Sequence, residues 1–542
     1  MKKIVIGALC GAVVIGAILF FTMKEEDQQE NQQEAEGKRT VSADMEMIKE
    51  QASLEKVIST TYKQRDYNLQ DPLVIPDPYG VAPLTALLKF ETEKAIEITV
   101  TVKGKDATAD ITKTFSGYET SHEIPVLGLY PDYANTVIIK GESEDGTVSE
   151  KKLTINTEPL PDDFLTTELI ESNPKKMENG LTFLIPSSES PYGVDSNGDV
   201  RWYSTLPNSH IMKRMENNNL LYLTEKTDKY NQILEMDMLG QVFHSYVVTV
   251  SNYEGWGIIH HDAIALPNGN ILATAHDGTE YIEDEMIEID RESGELVDQL
   301  NLRKILPEDF YQEYDGPSAD DGDWFHQNAI WYDESEGDIL ISSRHQSLIM
   351  EMSYPEGEID YILAAHEGWP EDYQKYLLEP IGEDFKFPGG PHSVMVLPDQ
   401  DSNEATKDIL LFDNNIAVTR GDESVSEEYS RGVQYRINTE EMTVKEIWAY
   451  GKERGESFFS KYVSDVNHLS ETGNRLLTSG YTQTEDGKMR SIVVEVTGDE
   501  ANEVVYELKV TGFKEGDHRQ IYRGVRMPLY PEKWNFNLKQ TD

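Results

Sequence analysis

Trp324-Phe325-His326-Gln327-Asn328-Ala329-Ile330, running into Asp338-Ile339-Leu340-Ile341-Ser342-Ser343-Arg344, is the stretch on which the fold turns. The first half reads as an extended segment with a histidine and an amide at its entrance, the second as a strand ending in arginine. With Asp333 to Gly337 as the turn, the two form an antiparallel hairpin and Arg344 folds back toward His326 and Asn328. A guanidinium that is always charged, an imidazole and an amide in one small volume suit an anionic group. The arrangement recurs. His260-His261-Asp262-Ala263-Ile264 precedes Asn270-Ile271-Leu272, and His392-Ser393-Val394 precedes Asp408-Ile409-Leu410. A lone histidine at a strand end is more often structural than catalytic, but recurrence at corresponding places points to several blades sending polar side chains to a common centre.

Outward from this stretch the same two signals repeat from Pro161 onward. Gly198-Asp199-Val200, Gly240-Gln241-Val242, Gly294-Glu295-Leu296 and Gly357-Glu358-Ile359 are turn-to-strand steps. Asn219-Leu220-Leu221, Asn270-Ile271-Leu272, Asp338-Ile339-Leu340, Asp408-Ile409-Leu410 and Asn474-Arg475-Leu476-Leu477 are polar turns opening apolar strands. Their intervals match the ~40–50 residues of a four-stranded blade, so residues 161–542 read as a propeller of about six blades. A parallel β-helix would need shorter and stricter repeats. Before it, residues 68–160 carry period-two strands, clearest at Ala95 to Val102, and read as a small β-sandwich. The predicted fold class is all-β, with short helices at Leu306 to Tyr314 and Trp369 to Leu378.

The N-terminal end is different. Met1-Lys2-Lys3 and the apolar Ile4 to Met23 make a signal peptide or signal anchor over residues 1–24, long enough for a bilayer core of ~30 Å. Residues 25–67 read as a polar tether with a helix within Val41 to Gln64. An uncleaved anchor with the body outside the cytoplasm is the favoured expectation. The single cysteine, Cys10, lies in the apolar segment and permits no intramolecular disulfide. The formal charge of −51 disfavours nucleic acid as a partner. A small anion would then need a locally basic pocket, and acidic runs such as Asp320-Asp321 with Asp323 read as solvated surface.

If the innermost strands open on a central channel, the residues projected there are His261, His326 with Asn328, His392, and Ser464 of Tyr462-Val463-Ser464-Asp465. His260 competes with His261: alignment on Ala263-Ile264 selects the former, alignment on the following Leu-Pro the latter, which is preferred. Trp324, Phe325 and Trp256 either pack between blades or line a slot for an aromatic ring.

These residues resemble a known family. Tyr79-Gly80-Val81-Ala82-Pro83-Leu84-Thr85-Ala86 and Leu127-Gly128-Leu129-Tyr130-Pro131-Asp132-Tyr133 are similar to the N-terminal domain of bacterial aryl-sulfate sulfotransferases. His326-x-Asn328, Ser342-Ser343-Arg344 and Leu411-Phe412-Asp413-Asn414-Asn415 resemble their catalytic propeller. The resemblance implies a six-bladed, often dimeric enzyme that moves a sulfuryl group from an aryl sulfate to a phenol without a nucleotide donor. It implies His392 as the transiently sulfated residue and Arg344, His326 and His261 as further catalytic groups, while Asn328, Ser464 and His260 are taken as substrate contacts from their places at the strand entrances. It calls for no cofactor and no metal. The disulfide near the site of Gram-negative members has no counterpart in this chain. Two other readings stand beside it: a metal-dependent hydrolase using the histidines with Asp262, and a non-catalytic propeller that binds sulfated ligands.

Overall fold

The computed structural model describes residues 39–251, 253, 255, 257–418, 420–421, 427–483, 487–514, 519–532, 534 and 536. The apolar segment at 1–24, the tether up to residue 38 and Trp256 lie outside them. Among the described residues no helix is long and apolar enough to cross a membrane.

Gln327–Asp333 pairs antiparallel with Asp338–Ser343, with Asp333 opposite Asp338. Gly337 closes the turn at φ +85°, a left-handed conformation that glycine adopts without steric cost. Ile339, Leu340 and Ile341 are all fully buried. Both faces of the strand are therefore covered by neighbouring sheets, which is why the sequence shows a continuous apolar run rather than alternation.

Among the described residues the chain builds six blades on four antiparallel strands each, and Arg39–Ala43, Glu379–Pro380 and Thr166–Ser172 each add a fifth, outer strand to one of them. From the inside outward, blade one is Met212–Arg214, Leu220–Lys226, Lys229–Met236 and Val242–Val250; blade two is Ile259–Ala265, Ile271–Ala275, Glu285–Ile289 and Leu296–Asn301. Blade three continues the central hairpin with Leu348–Ser353 and Ile359–Leu363. Blade four is His392–Val396, Thr406–Asp413, Arg431–Asn438 and Thr443–Tyr450; blade five is Asp465–His468, Arg475–Gln483, Met489–Val496 and Val504–Thr511. Blade six joins the two ends of the propeller: the late strand Ile521–Met527 lies innermost against Leu181–Pro186, Tyr192–Val194 and Val200–Tyr203. The inner strands of blades two to six meet one another in order around the channel. Closing the ring in this way covers the faces of the end blades that an open array would leave exposed, and only the short outer edge of each blade remains.

The segment read as tether is in part structural. Arg39–Ala43 adds an outer strand to blade one, pairing with Tyr246 to Val250, and only Glu46–Tyr62 is helical. Arg39 reaches blade two through an ion pair with Glu285. The short helices fall where the sequence placed them, at Asp309–Gln312 and Glu371–Tyr376.

The N-terminal domain is a five-stranded assembly of Leu73–Pro76, Thr85–Val102, Ile111–Leu127, Ala134–Ser143 and Val148–Asn156. Thr85–Val102 is long enough to pair with Leu73–Pro76 through its first half and with Ala134–Ser143 through its second. The alternating residues Ile98, Val100 and Val102 face the core together with Val137 and Ile139. Arg201 of blade six, fully buried, fastens the domain by donating to the carbonyls of Gly128 and Ala109 while paired with Asp195 at 2.8 Å.

Candidate active site

The inner strands of blades two, three and four enter the channel through a distortion. Register shifts occur between Ile259 and Ala263, between Gln327 and Ala329, and between His392 and Val394. His326 and Ser393 have φ of +53° and +52°, a strained backbone for residues with a Cβ. The bulges turn side chains at the strand entrances out of the alternating pattern and toward the axis.

The result is a cavity of about 260 Å³ lined by His210, His261, Ser318, His326, Arg344, His345, His392, Tyr462, Val463 and Tyr522. His261, His326, Arg344 and His392, drawn from blades two, three and four, therefore share one space. The rings of His261 and His326 lie 4.6 Å apart and those of His210 and His261 5.0 Å. Tyr522 stands among them, 4.1 Å from His210 and 6.1 Å from His392 between ring centres. A larger cavity of about 900 Å³ shares His210, His261, His326, Tyr462 and Val463 and is further lined by Tyr253, Tyr481 and Phe513. It is wide enough for an aromatic ring beside the histidines.

His392 is fully enclosed, and its Nδ1 lies 2.7 Å from Asn414 Oδ1. The Asn414 amide is not free to turn, because Nδ2 donates to the carbonyls of Ser460 and Val463 at 2.8 and 3.0 Å. Oδ1 must then accept, so His392 carries its proton on Nδ1 and keeps the lone pair on Nε2. Burial first, then Arg344 and His326, hold the His392 pKa well below the ordinary imidazole range. It is a neutral imidazole at physiological pH.

His326 has the opposite character. Its Nδ1 lies 2.6 Å from Asp323 Oδ2 and 2.8 Å from Glu283 Oε2. Burial disfavours the charge, but the two carboxylates outweigh it and push the pKa up to about 10. Arg344 is the second cation. Its Nη1 donates to His345 Nε2 at 2.6 Å, and Nη2 reaches the Lys461 carbonyl at 3.5 Å. It has no carboxylate partner among the described residues, and its buried Nε has no hydrogen-bond acceptor there. Burial lowers its pKa, yet a guanidinium remains charged. A fixed cation without a counter-ion, facing a cavity, is an anion site.

Not every expected residue reaches that space. Asn328 is fully buried behind it, where Nδ2 donates to the Pro391 carbonyl and Oδ1 accepts from Ser342 Oγ. It braces the chain just before His392 instead of lining the cavity. Ser464 Oγ accepts from Gly480 N at 3.2 Å and is likewise absent from the lining. His260 faces the larger cavity, with its Nδ1 3.2 Å from His261 Nδ1. Trp324 and Phe325 belong to the core between blades two and three, where Trp324 Nε1 donates to Asp284. Asp323, read as solvated surface, is buried against His326, whereas Asp320 and Asp321 are exposed.

Sequence reasoning missed His210, Glu283, His345, Tyr462 and Tyr522. For His210 a signal existed: it precedes Asn219-Leu220-Leu221 at the spacing by which His261 precedes Asn270-Ile271-Leu272. Tyr522 sits on the closing strand, which has no hairpin of its own to mark it.

The family model described as arylsulfotransferase (ASST) matches residues 166–523, and that of the arylsulfotransferase Ig-like domain matches residues 73–158. Arylsulfate sulfotransferase AssT of Escherichia coli O6:H1 is 24% identical over 543 residues, covering 77% of this chain and 87% of its own. AssT of Lelliottia amnigena is 24% identical over 510 residues, covering 73% and 83% respectively. Among solved structures, a periplasmic gluconolactonase from Pseudomonas aeruginosa aligns over 80% of this chain and 100% of its own, with 10% identity and a TM-score of 0.33. With the first of these models covering more than half of its length, the chain belongs to the arylsulfotransferase family.

Proposed function

We propose that this protein transfers a sulfuryl group from an aryl sulfate to an acceptor phenol, in two displacements through a sulfated His392 and without a nucleotide donor. The observation that carries the reading is the Asn414–His392 contact, because it leaves a neutral Nε2 lone pair beside an unpaired guanidinium. Displacement at sulfur passes through a loose, SO3-like state by analogy with phosphoryl transfer, so catalysis lies mainly in positioning and fixed positive charge. Arg344 and the protonated His326 supply that charge. Splitting the transfer at a nucleophilic imidazole lets donor and acceptor use the same space in turn. The two AssT relatives support the choice of aryl sulfate as donor.

Mass spectrometry of the protein after brief exposure to an aryl sulfate should find a sulfuryl adduct on the peptide containing His392. Phenol release should depend on added acceptor, and His392→Ala should abolish both while the protein stays folded. An adduct on another residue would move the nucleophile. His260, His261 and Glu283 could also gather around a divalent cation, but the neighbouring charges of His326 and Arg344 oppose one. Full activity in chelator is expected.

The reading extends to place and assembly: a chain held at the outer face of the membrane by its apolar segment Ile4 to Met23, acting there as a homodimer. Fractionation with and without that segment tests the first, and sedimentation the second.

A further inference from the structure

Asp323 and Glu283 lie on loops that no motif singled out, yet both end at the same nitrogen. Glu283 approaches from the strand connection of blade two, at 2.8 Å, and Asp323 from the loop before blade three, at 2.6 Å. The one Nδ1 hydrogen goes to Asp323, Glu283 adds its charge at the same nitrogen without accepting a hydrogen bond, and Nε2 is the His326 nitrogen left for the cavity. Asp323 does a second thing. Its backbone carbonyl accepts from His345 Nδ1 at 2.6 Å, which turns His345 Nε2 toward Arg344 as an acceptor. One residue thus fixes both cations of the site, His326 through its carboxylate and Arg344 through its carbonyl and His345.

We propose that Asp323 and Glu283 are positioning residues that clamp His326 as an imidazolium with Nε2–H presented to the cavity, so that His326 gives its proton to the departing phenolic oxygen. The proposal rests on the sulfuryl-transfer reading. In the first step the His392 Nε2 lone pair forms the N–S bond. The S–O bond to the aryl group breaks with its electrons on oxygen, and that oxygen takes the proton from His326 Nε2. In the second step the acceptor phenol returns a proton to His326 Nε2 as its oxygen forms the new S–O bond and the N–S pair goes back to His392. Both histidines end as they began.

The groups facing His326 from every side agree with its charge being set by the clamp. From blade two come His260 and His261, and across the channel His392 and His210; all four are held neutral, with burial the largest cause. His345, from its own blade, is also pushed down by burial. Arg344 is the other cation, and Asp323 and Glu283 are the carboxylates that offset the pair. The carboxylates thus raise the His326 pKa far enough to keep the ring protonated at neutral pH, which is the state a general acid needs when the phenolic oxygen departs.

The test compares Glu283→Gln and Asp323→Asn in the full-length protein, with phenyl sulfate and 4-nitrophenyl sulfate as donors. Phenolate needs a proton on departure and nitrophenolate much less. The variants should lose about 10²-fold or more in kcat/KM on phenyl sulfate, the lower end of general-acid effects, and under about tenfold on 4-nitrophenyl sulfate. The basic limb of the pH profile should move from about 10 toward the ordinary histidine value of about 6.5. Equal losses on both donors with an unmoved limb would overturn the clamp. A wild type that neither transfers nor forms the His392 adduct would instead overturn sulfuryl transfer itself. The protonation of His326 can then be read separately, from ¹⁵N-histidine spectra at about pH 8.5, where the clamp requires both ring nitrogens protonated. A neutral His326 there ends the proposal.

Discussion

Asn414 offers a way to test the nucleophile without touching it. Asn414→Ala removes the acceptor that holds the His392 proton on Nδ1, so the ring can take the other tautomer and lose its lone pair on the cavity side. A fall in kcat of about 10–100-fold with little change in KM is expected, the scale of a lost orienting partner. Asn414→Asp should behave differently. A carboxylate at this position stabilises the His392 imidazolium and raises its pKa, so an acidic limb should appear as pH falls through the new value. Stopped-flow release of phenol across pH separates the two variants. At this scale the sequence was partly readable. His261, His326 and His392 announce themselves by recurrence at strand entrances, and Arg344 by ending the hairpin strand that folds back on His326. Asp323 does not, because its neighbours Asp320 and Asp321 are truly solvated and only the chain reversal at Gly322 turns Asp323 inward. Asn328 and Ser464 were read as contacts because strand position gives the place of a backbone but not the side taken at a bulge.

The blades hold this cluster through strand entrances and turns, and one turn joins blade one to the N-terminal domain. Gly240 sits at φ +84°, and a Cβ there would meet Val81 Cβ at 2.4 Å. Both the backbone conformation and the space demand glycine, so Gly240→Ala should destabilise by about 1–3 kcal/mol, as overpacking does. Calorimetry should show a lower Tm with kcat unchanged in the folded protein; an unaltered Tm would mean that the two units do not press together there. The same turn was legible as a strand signal, because Gly-Gln-Val marks it. Its load on another domain was not, since nothing local in Val81 names its partner. Likewise the period-two run Ala95 to Val102 was visible, but the strand begins at Thr85. The charged stretch Glu91 to Lys94 breaks the alternation where the strand passes from one set of partners to the other.

At the scale of the whole molecule, two opposed fields meet an incoming sulfate ester. The chain carries 48 basic and 99 acidic side chains, a formal −51, while the cavity holds Arg344 and the imidazolium of His326. The surface charges act from tens of ångströms away and are screened at a Debye length of ~10 Å in 0.1 M salt. Arg344, the cation without a carboxylate partner among the described residues, acts at contact distance inside a buried space, where salt screens little. Raising ionic strength should therefore relieve the repulsion of the donor while leaving its attraction in the site almost intact. An increase of a few-fold in kcat/KM for an aryl sulfate is expected between about 20 and 200 mM salt, with the kcat/KM of a neutral acceptor phenol unchanged. The comparison separates this effect from any general influence of salt on the protein, because donor and acceptor use the same cavity and differ in charge. A donor kcat/KM that falls with salt would mean that the potential at the mouth is positive, and that the ring of blades gathers enough basic side chains around its axis to outweigh the charge of the chain. Six blades could be counted from the sequence, but not the strand that closes them. Ile521–Met527 is separated from its sheet partners by most of the propeller, and it brings Tyr522 to the axis only when the ring is complete.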